Sequence, residues 1–152
     1  MSASMQAQVP FEERRRPWPA VNEDTEFFWE GVDRHELRIQ SCPECGMLVH
    51  PPRPACANCG SLERSYVVAS GKGRVYSHVT MHKPLAPPYA EPYAVVVVEL
   101  DEGTRLVTQL VGIEHDEIVV DLPVRLALVE VEPGLTLPLF RPAEPANYTV
   151  EE

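Results

Sequence analysis

The four cysteines of the chain lie in one short segment, SCPECGMLVHPPRPACANCGS, as two CxxC pairs. Cys42 and Cys45 form the first pair, and Cys56 and Cys59 form the second. Thiols at this spacing share a tight turn with both sulfurs facing one point. Two such turns facing each other present four thiolates in a tetrahedral set, the geometry of a structural zinc site. A glycine follows each pair and can take the positive φ that turns backbone N–H groups toward the sulfurs.

Four thiolates leave no open coordination position, so the predicted metal stabilises the segment and performs no chemistry. Three other uses of the cysteines were weighed. Two disulfides are typical of a secreted protein, and a redox CxxC needs one pair beside a βαβ pattern. An iron site of the rubredoxin type uses similar turns, so the choice between zinc and iron stays open.

Composition and charge limit the class of protein. The chain has 152 residues, 44% hydrophobic content and a net charge of −10, which is typical of one or two small globular units. It has no apolar run long enough to cross a membrane and no apolar signal core near its N-terminus. We therefore expect a cytoplasmic protein without a membrane partner.

The first 35 residues are predicted to be an arm followed by a helix. Residues 1–20 lack a periodic pattern and read as a flexible arm; its three arginines at 14–16 are a solvated run or an anion or partner contact. A helix is predicted over 21–35, with Asn22 as the N-cap before an acidic first turn. The aromatic side chains of this helix either pack in the core or dock a partner: Phe27, Phe28 and Trp29.

The zinc ribbon is predicted over residues 36–65. Short strands at 36–40 and 47–50 flank the first cysteine pair, and the Pro-Pro-Arg-Pro run at 51–54 is a rigid connector to the second pair. A further strand at 64–70 leads out of the ribbon.

Residues 66–142 have an all-β pattern. Strands are predicted at about 72–82, 93–100, 104–112, within 117–132 and at 135–142, with a tail over 143–152. The Pro-rich stretch 83–92 is a loop, YAVVVVEL at 93–100 is expected to be buried on both faces, and Pro123 marks a break. About five short strands without a long helix favour a closed barrel of the OB type. The predicted fold class is mainly β: an N-terminal helix, a zinc ribbon and a five-stranded C-terminal OB-fold barrel.

The sequence shows no recognisable catalytic motif, phosphate-binding loop or pair of carboxylates. His78 and His82, near the end of the first barrel strand, are either an acid/base pair or simply exposed. A ribbon joined to an OB barrel also suggests nucleic-acid binding. Residues 75–152, however, hold 4 basic and 13 acidic residues, and polyanion binding requires lysine and arginine to neutralise phosphates. We therefore expect no nucleic-acid partner and a subunit that assists another protein.

Taken in order, several motifs resemble one family. They are DTEFFWEGV, CPECG, HPPRPACANCGS, SGKGRVYSHVTMH, PYAVVVVELDEGTRLVTQLVG and LPVRLALVEVEPGLTLPLFRP, which together span about residues 20–142. This order is similar to that of acyl-CoA-associated proteins with a rubredoxin-like zinc ribbon and an OB-fold, long labelled a domain of unknown function. The lead RPWPAVNEDTEFFWEGV looks most like the branch associated with steroid-degrading aldolases and hydratases.

The resemblance implies an accessory, noncatalytic subunit in a hetero-oligomer. Members associate with thiolase-like enzymes, including those of acetoacetyl-CoA and hydroxymethylglutaryl-CoA synthesis, and with MaoC-like hydratases. In the steroid branch the partner is a thiolase-like aldolase that cleaves a carbon–carbon bond by a retro-aldol reaction and releases propionyl-CoA. A subunit of a thiolase, synthase or hydratase complex and a stand-alone acyl-CoA or lipid-binding protein are the alternatives.

Three basic residues are candidates for contact with acyl-CoA or with the partner: Arg53, Lys72 and Arg74. Coenzyme A carries several negative charges, and these side chains lie in the less acidic half of the sequence. Arg53 is the strongest candidate because its proline frame orients it in advance; bracing of the ribbon is the alternative. The aromatic helix and the loop 83–92 are the expected docking surfaces.

Overall fold

A computed structural model describes residues 16–82, 89 and 91–144. Most of the predicted arm, including Arg14 and Arg15, therefore lies outside the described residues, as do nearly all of the 83–92 loop and the tail beyond 144. The described part confirms the predicted fold class: one short helix, a three-stranded sheet carrying the cysteines, and a closed five-stranded barrel.

Helix α1 runs from Glu26 to Asp33, a shorter span than the sequence indicated. Its N-cap is Thr25, so the prediction of Asn22 was wrong by three residues. The Asn22 side chain instead accepts hydrogen bonds from the backbone N–H groups of Asp24 and Thr25, at 3.0 and 3.2 Å. An asparagine can cap a turn as well as a helix, and here it fixes the turn that leads into α1.

The ribbon sheet has the order β2-β1-β3, with antiparallel pairing throughout. Its strands are β1 (Leu37–Ser41), β2 (Leu48–Val49) and β3 (Ser65–Ala69). Strand β3, which the sequence division at residue 65 assigned to the barrel, pairs along its whole length with β1. The chain therefore completes the ribbon sheet before it enters the barrel.

Buried Arg38 on β1 fixes helix α1 to this sheet. Its Nε donates to Glu36 at 2.8 Å, and a terminal nitrogen donates to the Phe27 carbonyl oxygen at 3.4 Å. Its guanidinium also lies over the Tyr66 ring, 4.6 Å from the centroid. The aliphatic part of an arginine side chain can cover apolar surface while its guanidinium stays paired. These contacts offset the free energy of removing the Arg38 charge from water.

The barrel has the closed order β4-β5-β6-β8-β7. Neighbouring strands are antiparallel except β6 and β8, which meet in parallel at Leu110 and Phe140. A short 3-10 helix at His115–Glu117 precedes β7. The strands are β4 (Lys72–Met81), β5 (Tyr93–Leu100), β6 (Arg105–Leu110), β7 (Pro123–Glu132) and β8 (Leu135–Pro142).

Strand β5 is buried on one face, so the expectation of two buried faces was wrong. Ala94, Val96, Val98 and Leu100 point into the barrel core, whereas the alternate side chains at 93, 95 and 97 are half-buried on the outside. An antiparallel barrel buries one side of each strand. Four consecutive valines do not indicate which of them face outward, and here Val95 and Val97 do.

Candidate functional site: a four-cysteine ribbon beside two cavities

The two CxxC turns have the same backbone hydrogen bonds. Cys42 N–H donates to Met47 O at 2.9 Å, and Gly46 N–H donates to Cys42 O at 2.8 Å. The second turn repeats both bonds at 2.9 Å, from Cys56 to Ser61 and from Gly60 to Cys56. Both glycines have φ of 76°, which a side-chain-bearing residue adopts only with strain. The predicted pair of knuckles is therefore present in the backbone.

The four sulfurs fit one metal ion. All lie within 4.8 Å of one another, and the Cys42–Cys59 and Cys45–Cys56 sulfurs are 3.6 Å apart. A Zn–S bond of about 2.3 Å in a tetrahedron places sulfurs about 3.8 Å apart. These cysteines therefore form a four-thiolate zinc-ribbon site in which a bound ion would link β1, β2 and the loop before β3.

Without metal, the pKa values of the Cys45 and Cys59 thiols are shifted in opposite directions. The Asn58 side chain, followed by the Met47 N–H, lowers the pKa of Cys45 to about 6. For Cys59 the Ser61 N–H lowers the pKa, but hydrogen bonds to the other three sulfurs and burial outweigh it and raise the pKa to about 12. A divalent ion would take the place of the shared protons, because thiolates are the ligands that zinc binds.

The backbone of Arg53 is fixed by the buried side chain of Gln40. The Gln40 amide oxygen accepts from Arg53 N–H at 2.8 Å, and its amide nitrogen donates to Arg53 O at 2.9 Å. This pair of bonds reproduces the pattern between two strands and holds the proline-rich connector on β1. The connector also carries a cis peptide bond between His50 and Pro51.

The exposed Arg53 side chain lines a cavity of about 420 Å³ between the ribbon and the β5–β6 hairpin. Arg105 from β6 and His50 also line this cavity. Arg105 also bonds Glu99 at 2.9 Å and lies over Tyr76 at 3.6 Å; the hydrogen bond to Glu99 is the main reason why its pKa is raised. No signal in the sequence indicated Arg105, because it shares this cavity with Arg53 only through the packing of the ribbon against the barrel.

Lys72 and Arg74 do not line this cavity. Both lie at the start of β4, opposite Arg125 and Pro123 of β7, and one Arg74 nitrogen donates to the Asp121 carbonyl oxygen at 3.2 Å. The structure therefore brings Arg53 together with Arg105 rather than with the other two basic candidates.

The three aromatic side chains of α1 are largely covered by the protein itself and are not fully available to a partner. Phe28 is buried in the core, and Phe27 and Trp29 are half-buried against it. Phe27 stacks on Tyr66, with ring centroids 5.8 Å apart, and Phe28 contacts Trp29 edge-on at 5.1 Å. Core packing thus accounts for much of this cluster, while partner contact through Phe27 and Trp29 stays a prediction.

A second, apolar cavity of about 500 Å³ lies between α1, the ribbon connector and the outer face of β5, β6 and β8. Phe28 and Trp29 form one wall, Pro51 and Pro52 another, and Tyr93 the barrel side. Pro19 and Ala20 close it from the N-terminal side. Cavities of this size and lining are typical of sites for apolar groups.

Glu132 holds the N-terminal segment against the barrel. Its buried carboxylate accepts a hydrogen bond from the Trp18 indole and lies 3.7 Å from Arg16 Nε. Arg16 also lies over the Tyr89 ring, 5.4 Å from the centroid. Part of the predicted arm is therefore anchored. No local sequence signal indicates this contact, because 114 residues separate Trp18 from Glu132.

The histidine pair at the barrel mouth shows no catalytic arrangement in the described residues. His78 and His82 are both exposed. Burial lowers the pKa of His50, which keeps that imidazole neutral near pH 7.

The part of the chain that the structure describes contains no helix long and apolar enough to span a membrane.

Comparisons with known proteins agree with this architecture. Residues 29–63 match the family model described as "ChsH2, rubredoxin-like zinc ribbon domain", and residues 66–129 match "ChsH2, C-terminal OB-fold domain". A chain of the solved "Ltp2-ChsH2(DUF35) aldolase" superposes with a TM-score of 0.79 at 49% identity, covering 84% of this chain and 100% of that one.

Two curated relatives are longer proteins. One is a "Probable enoyl-CoA hydratase alpha subunit" of Thermomonospora curvata, 50% identical over 130 residues, or 86% of this chain and 41% of the relative. The other is the "3-oxo-4,17-pregnadiene-20-carboxyl-CoA hydratase alpha subunit" of Mycobacterium tuberculosis, 40% identical over 83% of this chain and 40% of the relative. This chain therefore spans about two fifths of the length of these relatives. From its ribbon, its barrel and the full coverage of a solved relative, the chain belongs to the DUF35 family, in the ChsH2 type that joins a rubredoxin-like zinc ribbon to a C-terminal OB-fold.

Proposed function

We propose that this protein is an accessory subunit that binds and activates a thiolase-like aldolase acting on an acyl-CoA. In the reaction, the bond between the α and β carbons of a β-hydroxyacyl-CoA breaks. The β-hydroxyl becomes a ketone, and the released enolate is protonated to a shorter acyl-CoA. Steroid side-chain degradation with release of propionyl-CoA is the specific setting proposed, in the cytoplasm. The catalytic residues belong to the partner.

The observation that carries this proposal is the match to the solved Ltp2-ChsH2 aldolase, in which a chain of the same two-part build is covered completely at 49% identity. A second observation agrees with it. The four cysteine sulfurs lie together as a closed metal site, and His78 and His82 are exposed. A protein of this build supplies surface and stability to another enzyme more readily than chemistry of its own.

We further propose that Arg53 contacts the phosphates of the acyl-CoA or the partner, together with Arg105. The two side chains line one cavity, and the bonds from Gln40 fix the Arg53 backbone while leaving its side chain exposed. Two guanidinium groups can bind phosphate oxygens in a bidentate manner. Lys72 and Arg74 are weaker candidates, because they do not line this cavity.

A second candidate function is a part of a MaoC-like hydratase complex. Both longer relatives carry the name of a hydratase alpha subunit. The two functions are compatible, since one chain can belong to a hydratase subunit and also bind an aldolase.

The test is co-expression of the tagged protein with the Ltp2-like protein of the same organism. We expect an equimolar complex in size-exclusion chromatography and cleavage of a β-hydroxyacyl-CoA steroid, measured as released propionyl-CoA, that neither protein gives alone. An Ltp2-like protein that elutes separately and is equally active alone would refute the proposal. In the complex, Arg53→Glu should raise KM for the acyl-CoA, whereas Arg125→Glu on β7, the matched control, should leave it unchanged.

A further inference from the structure

An uncharged apolar face covers the outside of three neighbouring barrel strands. It consists of Val79 on β4, Val95 and Val97 on β5, and Val107 on β6, and we call it the valine face. Register places Val79 opposite Val95, and Val97 opposite Val107. Directly paired residues of antiparallel strands share one side of the sheet, so the four side chains lie on one face, on which the uncharged Ser77 lies opposite Val97 and the uncharged Gln109 opposite Val95.

This surface is exposed to an unusual degree for its composition. Val107 is 67% exposed and Val79 is 52% exposed, while Val95 and Val97 between them are half-buried. β-branched residues on the solvent side of a strand are ordinarily interspersed with charged ones. An uncharged, valine-rich face on a protein with net charge −10 is therefore typical of an interaction surface.

The charges at the border of the valine face are already neutralised. Arg105 pairs with Glu99 at 2.9 Å, and its guanidinium lies over the Tyr76 ring. At the other end, Tyr93 stacks on Tyr89 with centroids 4.3 Å apart. A neutral centre with an aromatic and ion-paired rim is complementary to an apolar protein surface. The four valines themselves carry no charge that would bind a polyanion or a strongly basic peptide.

The valine face continues into the apolar cavity beneath α1. Tyr93, Val95 and Val107 belong to the lining of that cavity. A partner that lies on the face can therefore insert one protruding apolar side chain between α1 and the barrel. Such an anchor in a desolvated pocket is how interfaces commonly concentrate their binding energy.

We infer that the valine face is the docking surface for the thiolase-fold partner, an inference that rests on the proposed function. The solved relative is covered completely by this fold, so a partner of that relative docks on surfaces that the ribbon and the barrel themselves provide. Among the residues described here, exposed large apolar side chains also cluster on β3, at Tyr66, Val67 and Val68. That group already engages Phe27 and Arg38 through Tyr66, and it adjoins no apolar cavity of comparable size.

The test compares glutamate substitutions on the two surfaces in the full complex. Val107→Glu and Val79→Glu bury an unpaired charge in the proposed interface, and we expect affinity for the Ltp2-like partner to fall by at least about 30-fold, measured by calorimetry. Val68→Glu on β3 is the matched control, since Val68 is 55% exposed, and it should change affinity less than about two-fold. Circular dichroism and zinc content of each variant establish that it is folded.

Three outcomes separate the hypotheses. Loss of binding in the Val107 and Val79 variants alone supports the inference. Loss in Val68→Glu alone, or a Val107 variant that binds normally but no longer self-associates in ultracentrifugation, overturns it in favour of the ribbon sheet or of a second copy. A folded wild-type protein that does not bind the Ltp2-like partner refutes the proposed function itself.

Discussion

The ribbon and the barrel reach stability by different means. The ribbon sheet spans two residues at β2 and five at β1 and β3, and most of β3 is exposed. The barrel instead encloses side chains that are almost completely buried, among them Val75, Val96, Val98 and Phe140. Leu37 and Ile39 of β1 join the same apolar core, so the ribbon depends on four sulfurs in addition to packing, whereas the barrel depends on packing alone. The two regions should therefore respond to different perturbations.

Metal removal should give the largest effect. In Cys56→Ser, or after chelation, we expect β1, β2 and the second knuckle to unfold while the barrel stays folded, because zinc–thiolate binding contributes roughly 10–16 kcal/mol in isolated zinc-binding segments. Amide spectra by NMR, assigned to ribbon or barrel, measure this directly. Simultaneous loss of barrel signals would mean that the two regions unfold as one cooperative unit, and it would refute their independence.

Phe140→Ala is the corresponding perturbation of the barrel. Phe140 on β8 is fully buried, and its loss should lower the free energy of unfolding by about 3–5 kcal/mol through the cavity it leaves. Denaturant unfolding gives the value, with Val107→Ala as an exposed control expected to change stability by less than about 0.5 kcal/mol. Zinc content should stay at one ion per chain, and loss of zinc in this variant would contradict the independence of the ribbon.

The next effect concerns the joint between ribbon and connector. Gln40→Leu removes both bonds to the Arg53 backbone and should cost about 1–3 kcal/mol, because a buried donor and acceptor lose their partner. If Arg53 acts on acyl-CoA, KM for the acyl-CoA should rise in the same variant. A stability loss with unchanged KM would mean that the connector braces the ribbon and does not orient Arg53 for function.

The smallest effect is a pH dependence from His50. Burial lowers the pKa of His50, so the unfolded chain binds the proton more readily. Its contribution to stability is therefore full above about pH 6.5 and is lost as the pH falls below that value. Between about pH 7.5 and 5.5 the wild type should lose more unfolding free energy than a zinc-loaded His50→Phe variant. Equal losses in the two proteins would remove His50 as the cause.

The sequence predicted those features that depend on local spacing. The CxxC-Gly repeats required positive φ at Gly46 and Gly60, and both are present. The alternation of apolar residues in the second half of the sequence predicted the five-stranded barrel. Local patterns could not show that β3 closes the ribbon sheet, that Arg105 and Arg53 line one cavity, or that Glu132 contacts Trp18. Those contacts join residues far apart in the chain, and their side chains have ordinary surface composition.

The aromatic helix illustrates the same limit. Phe27, Phe28 and Trp29 are adjacent in sequence, so a helix must direct them to different sides. The sequence could not say which side meets the sheet. Conversely, the four valines of β5 were all predicted to be buried in the core. Val95 and Val97 are instead partly exposed, because a barrel strand has only one inner face.

The parallel meeting of β6 and β8 at Leu110 and Phe140 has a consequence for how the protein folds. β4, β5 and β6 form a meander of neighbouring strands, and β7 and β8 form a hairpin turned by Pro133 and Gly134. Both units pair locally and can form early. The β4–β7 and β6–β8 pairings that join them close long loops, so the chain loses loop-closure entropy before their contacts stabilise it. We expect closure at Phe140 to come late, after the rate-limiting step of folding. A low φ-value at Phe140 beside higher values within the β4–β5 pair would be its kinetic signature.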